Sequence, residues 1–127
     1  MNRQPLLHAL TVTACLFGLL PVGQAQLQRV NLARWQSAYA DSAAAGNPAS
    51  LATDGIVANT NCWVSAGAGP HWLKIVLPVP VQLGSAQLYL GYDDTSAVTN
   101  FSLQYFSSNA WVTIPGASFA GNSATVM

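Results

Sequence analysis

An all-β fold is the expectation from this sequence, and three observations set it. Apolar residues alternate with polar ones over Ala86–Leu90 and again over Phe101–Tyr105, the period of a half-buried strand. Seven prolines and ten glycines cut the chain into short pieces. No stretch of useful length carries helical periodicity, and no 20–50-residue repeat is present.

The first 25 residues read as a secretory leader. Met1-Asn2-Arg3 gives a short positive start, and Leu6 to Leu20 is apolar enough for the hydrophobic region. Pro21 breaks it before Gly23-Gln24-Ala25, a small-x-small cleavage site, so the exported chain is expected to begin at Gln26. His8 and Gly18 interrupt a run already short for a bilayer, which argues against a membrane span. The alternative is a lipoprotein, because Val12-Thr13-Ala14-Cys15 resembles a lipobox. Against it, Leu16 to Leu20 stays apolar beyond the cysteine. The expected location is secreted, extracellular or periplasmic.

Beyond the leader, Arg29, Arg34 and Lys74 face Asp41, Asp54, Asp93 and Asp94, three cations against four carboxylates. A charge near −1 gives no footprint for nucleic acid and no basic patch for anionic lipid. Cys15 leaves with the leader, so Cys62 has no partner in the exported chain. Burial as a small hydrophobe is the expected fate of that thiol.

In order, Val30–Trp35 is expected as an opening strand and Ser37–Ser50, rich in Ala, Ser and Gly, as a long loop. Leu51-Ala52-Thr53 has room for one helical turn before the Asp54-Gly55 turn. Cys62–Ser65 reads as a short strand, Ala66–Pro70 as a glycine loop and His71–Leu77 as a strong strand. Pro78 and Pro80 each lack a ladder donor and confine Val81–Leu83 to a short edge strand. Gly91–Asn100 is a polar loop. Phe101–Tyr105 and Trp111–Ile114 form a hairpin about Ser107-Ser108-Asn109, which Pro115-Gly116 ends, and Ala124–Met127 is β-prone. Trp63, Trp72 and Trp111 lie on expected strands and are expected in the core.

The sequence gives little to catalysis. Paired carboxylates about 5–9 Å apart are the usual glycosidase requirement, and here Asp54 belongs to its turn while Asp93 and Asp94 are neighbours in one loop. His71 is the one histidine beyond the leader and no GxSxG elbow accompanies it. One His and one Cys make no zinc site. A hard cation is a different matter. Asp54, Asn59 and Thr60 offer the oxygens that Ca²⁺ takes. The other reading of the same residues is an Asx turn, with Asp54 bonding its own backbone.

From Asp54 to Leu77 the chain also resembles a known pattern. Asp54-Gly55, Trp63-x-Ser65 and Trp72-Leu73-x-Ile75-x-Leu77 are similar in order and spacing to the signature of the discoidin family, or coagulation factor V/VIII type C domains, with the bacterial family 32 carbohydrate-binding modules among its members. Asn31-Leu32-Ala33 and Asn47-Pro48-Ala49-Ser50 fit the same resemblance, which covers roughly Asn31 to Met127. It implies a galactose-binding-like jelly-roll β-sandwich, incomplete at the C-terminal end because the last strands are not in this chain. Marginal stability follows from that. It implies a structural calcium at the Asp54 loop, although Ile56 stands where the family often has Asn or Asp. It implies a glycan site on loops at one end of the sandwich, here Ser37–Asn47, Ser65–His71 and Gly91–Asn100. Those loops offer Tyr39, His71, Tyr92 and Asp93. Cys62 replaces the arginine that commonly precedes the tryptophan. The function so implied is a non-catalytic carbohydrate-binding or cell-surface adhesion module. Two alternatives stand beside it: an N-terminal accessory domain of a secreted polysaccharide-degrading enzyme whose catalytic part lies beyond Met127, and a structural domain whose loops bind protein.

Overall fold

The computed structural model describes residues 6–7, 9–14, 30–91 and 98–127, with the backbone alone for the segments before residue 30. Nine strands and one 3₁₀ turn follow in order: β1 (Leu6–Leu7), β2 (Ala9–Ala14), β3 (Val30–Asn31), β4 (Ser37–Ala40), the turn Ala49–Ala52, β5 (Trp63–Val64), β6 (Leu73–Val76), β7 (Ser85–Tyr89), β8 (Phe101–Ser107) and β9 (Ala110–Phe119). The described residues contain no α-helix, so the chain is all-β. No helix among them is long and apolar enough to cross a membrane.

The strands group as β1–β5, β3–β2–β7, β4–β6 and β8–β9, and every pairing is antiparallel. Both β1 and β2 lie in the stretch read as a leader, so the uncut chain uses that stretch as sheet. Strand β7 is bonded on both sides. Ala9–Thr13 pairs with Ser85–Tyr89 along one edge. Along the other, Leu88 N–H donates to Met127 O at 2.7 Å, Met127 N–H returns to Leu88 O at 2.9 Å, and Leu90 N–H reaches Thr125 O at 2.7 Å. The β-prone tail thus finds a partner, and Leu88 and Leu90 are buried there.

Several expectations are corrected. Of Val30–Trp35, two residues are strand. Asn31 Oδ1 accepts Ala33 N–H at 3.0 Å and turns the chain, so Ala33 can bury and Trp35 N–H can bond Thr53 O at 2.6 Å. The expected loop Ser37–Ser50 opens with β4, whose register with β6 runs Ser37↔Val76 to Ala40↔Leu73. Val81–Leu83 forms no strand; it follows Pro78 and Pro80 in a segment exposed throughout. Pro115-Gly116 does not end β9. Leu103 of β8 faces a four-residue excursion, Ile114–Ala117, between the pairs Gln104↔Thr113 and Ser102↔Ser118. Gly116, at φ 77°, supplies the left-handed residue which that bulge requires. The hairpin turn is as expected: Ser108 and Asn109 have φ 50° and 63°, the sign pattern of a two-residue I′ turn.

The larger core lies under β5. Ala33, Ala52, Cys62 and Trp63 are buried, with Trp63 only 4% exposed. Trp63 Nε1 donates to Ser42 O at 2.9 Å, so the indole enters the core with its polar atom satisfied. Cys62 is buried as expected, and burial pushes its thiol pKa up. Asn47 stitches the core to the preceding loop: Nδ2 donates to Cys62 O at 2.8 Å and Asn47 O accepts Val64 N–H. Trp72 and Trp111 depart from expectation. Both are half exposed: Trp111 lies in the two-stranded β8–β9 sheet and Trp72 just before β6 of the two-stranded β4–β6 sheet.

Candidate functional site

Strands β4 and β6 bring the first site residues together. Tyr39 stands opposite Lys74 in the ladder, and directly opposed residues share a face. Lys74 Nζ lies 5.1 Å from the centre of the Tyr39 ring, within cation–π range. Trp72 stands one residue before β6, and its main-chain bonds to Asp41 carry the ladder's spacing one step further, to the side of Lys74. Tyr39 is 51% exposed and Trp72 52%. The opposite face, with Ala38, Ala40, Leu73 and Ile75, is half buried and fixes which side looks outward.

At the end of the ladder Asp41 holds the strands in step. Its N–H donates to Trp72 O at 3.4 Å, and its Oδ1 accepts Trp72 N–H at 3.0 Å. Oδ2 lies 2.7 Å from His71 Nδ1. A carboxylate only accepts, so Nδ1 carries a proton and donates it. The hydrogen bond from His71 holds the Asp41 carboxyl below the ordinary carboxylate range, helped by Trp72 N–H and opposed by desolvation. Ser42 Oγ lies 3.2 Å from the same ring nitrogen, accepts Ala66 N–H at 3.1 Å and approaches Ala66 O at 3.4 Å, which pins the glycine loop Ala66–Pro70 against it.

The His71 side chain is only 8% exposed. Its Nε2 and the Oγ of Ser65 are buried without a hydrogen-bond partner among the described residues. This arrangement does not form a nucleophilic relay. Such a relay needs the acid on one ring nitrogen and the hydroxyl on the other, whereas Asp41 and Ser42 both sit at Nδ1. What the cluster does is hold the backbone of Trp72, and so the exposed ring beyond it.

The Asp54 loop folds as an Asx turn. Asp54 Oδ1 accepts Ile56 N–H at 2.8 Å and Oδ2 accepts Asn61 Nδ2 at 2.7 Å. Asn59 turns its carbonyl toward the Cys62 thiol at 3.9 Å, and Thr60 is exposed. Calcium here would have to displace both donors from Asp54. Among the described residues no three His, Cys, Asp or Glu side chains gather as a metal site.

Of the expected glycan residues, Tyr39 and His71 flank Lys74 and Trp72. Tyr92 and Asp93 lie outside the described residues. Sequence reasoning missed Trp72, Lys74 and Asp41 as one group. Period-two spacing over the expected strand His71–Leu77 would set Trp72, Lys74 and Val76 on one side; what was missing was the partner strand, hidden in Ser37–Ala40. Searches against protein-family models, curated proteins and solved structures give no match.

Proposed function

We propose that this chain is an exported, non-catalytic glycan-binding module, built as an incomplete jelly roll of the discoidin type. The observation that carries the reading is the pair of half-exposed rings, Tyr39 and Trp72, set around Lys74 on the open face of β4–β6. Aromatic faces suit the C–H surface of a pyranose, and neighbouring polar groups fix its orientation. Asp41 and His71 spend their hydrogen bonds on the scaffold, so the rings are presented by tied backbone. The discoidin-like order of Asp54-Gly55, Trp63-x-Ser65 and Trp72-Leu73 adds support from the sequence. The ligand surface differs from the loop-end site that the resemblance implies, because Tyr39 stands on a strand.

A shallow face of this kind gives weak single-site binding, with Kd roughly 0.1–1 mM, or about −4 to −5.5 kcal/mol. Attachment to a surface would then draw on several copies or on a joined domain. Affinity electrophoresis against a panel of plant, algal and animal polysaccharides tests the reading. Retardation that Tyr39→Ala and Trp72→Ala each abolish, at unchanged melting temperature, is the expected result. Retardation untouched by both substitutions removes this face from the site.

A further inference from the structure

The charges of this protein are few and oddly placed. The described residues hold two cations, Arg34 and Lys74, and two carboxylates, Asp41 and Asp54. Among the described residues the one ion pair joins Asp41 to His71, and neither cation meets a carboxylate. Instead, each cation stands over an exposed aromatic ring. Lys74 Nζ lies 5.1 Å from the Tyr39 ring centre, and the Arg34 guanidinium 5.5 Å from that of Trp35.

The second pair is held in place deliberately. Trp35 has φ 63°, an uncommon backbone for an aromatic residue. The 2.6 Å bond from its N–H to Thr53 O accompanies that turn, and the ring is left 69% exposed. Gly55 makes room beside it, since a Cβ there would come within 2.8 Å of Arg34 Nε. In a chain with 6% charged residues, both described cations are thus displayed on aromatic platforms, and neither is paired with a carboxylate among the described residues.

We infer that the Tyr39–Lys74–Trp72 face takes an anionic pyranose polymer, its acid group meeting the Lys74 ammonium while a sugar ring lies on the flanking aromatic rings. The inference rests on the glycan-binding reading and narrows its ligand. Charge complementarity carries it. A neutral sugar would use the rings and leave the ammonium without a counter-charge, whereas a carboxylate or sulfate on the ring uses both. Asp41, at the end of this ladder, does not compete because both its oxygens are bonded to His71 and Trp72.

The test titrates the full chain with polygalacturonate, a sulfated galactan and a neutral galactan of matched length, at low salt and at about 1 M. At low salt an acidic polymer should bind about fivefold tighter than the neutral one, the scale of one exposed ion pair. The gap should close at high salt, where screening shortens to about 3 Å. Lys74→Gln should remove most of the preference for the acidic polymers, while Lys74→Arg keeps it. Preference for the carboxylated or for the sulfated polymer assigns the acid group. Equal binding of neutral and acidic polymers, or a preference that survives Lys74→Gln, overturns the inference and leaves the glycan reading standing. Failure to bind any of the three, with the fold intact by melting, overturns the reading itself.

Discussion

Two halves of this molecule are held together in different ways. Between Asn31 and Val76 the strands are short, and polar side chains bond to distant backbone: Asn47 to Cys62 O, Trp63 to Ser42 O, Thr53 Oγ1 to Gln36 O at 2.9 Å, Asp41 to Trp72 N–H. The β8–β9 hairpin has the longest strands and almost none of that. Its ladder is supplemented by ring pairs, Phe101 stacked on Phe119 at 4.6 Å and Phe106 edge-on to Trp111 at 5.2 Å. Tyr105, Phe106, Trp111 and Val112 remain exposed along it. The contrast teaches that strand length does not measure how firmly a region is fixed. Side chains that cross between loops create long-range order where the ladders are only two to four residues long, and that is the half where the aromatic face is displayed.

Substitutions should separate the halves by size of effect. Trp63→Ala removes a buried indole and its bond to Ser42 O, and should cost about 3–5 kcal/mol, read by urea unfolding. A cost no greater than that of a hairpin ring would erase the distinction. Asn47→Ala leaves the Cys62 carbonyl without its donor and should cost about 1–3 kcal/mol, with hydrogen exchange quickening at Val64. Trp111→Ala should cost about 1 kcal/mol, the worth of one cross-strand aromatic pair, and the change should stay within residues 101–119.

Acid should act on the first half alone. The Asp41 carboxyl is held below its ordinary value, so its contribution is complete above the unfolded pKa near 3.8 and is lost as pH falls through the lower folded value. Acid titration of Trp72 fluorescence should show that step, and Asp41→Asn should remove it. Any change confined to Trp111 would place the acid-sensitive tie elsewhere. The smallest expected effect belongs to the Asp54 loop. Chelation should leave the melting temperature nearly unchanged, while Asp54→Ala should cost about 1 kcal/mol with or without chelator through the lost turn bonds. A chelator-sensitive melting temperature that Asp54→Ala abolishes would make the loop a calcium site.

How much of this could be read from the chain depends on how local the cause is. The Ser108-Asn109 turn, the Asp54 turn and the alternation in β7 and β8 are set by neighbours in sequence, and each was legible. Strand β4 was not. Ser37–Ala40 has one large side chain, and its strand character comes from β6, more than thirty residues away. Without β4, Trp72 looked like a core residue of a strong strand, when its face is the open one. Trp35 gives no sign in the sequence of its left-handed backbone, because the bond to Thr53 O that accompanies it is also a tertiary contact. The bulge at Pro115-Gly116 was half legible: the two residues announced a break, and pairing beyond them carried the strand on.

Strand β2 has a consequence for timing. It lies in the middle of β3–β2–β7, with Ala9 opposite Tyr89 across eighty positions of chain. Contacts of such long reach close late in folding. Once they close, the apolar segment Ala9–Ala14 is locked between two neighbours by main-chain bonds. On the proposed leader reading, trimming after Ala25 would take away the middle strand of this sheet. On that reading the chain before trimming and the chain after it pose two different folding problems.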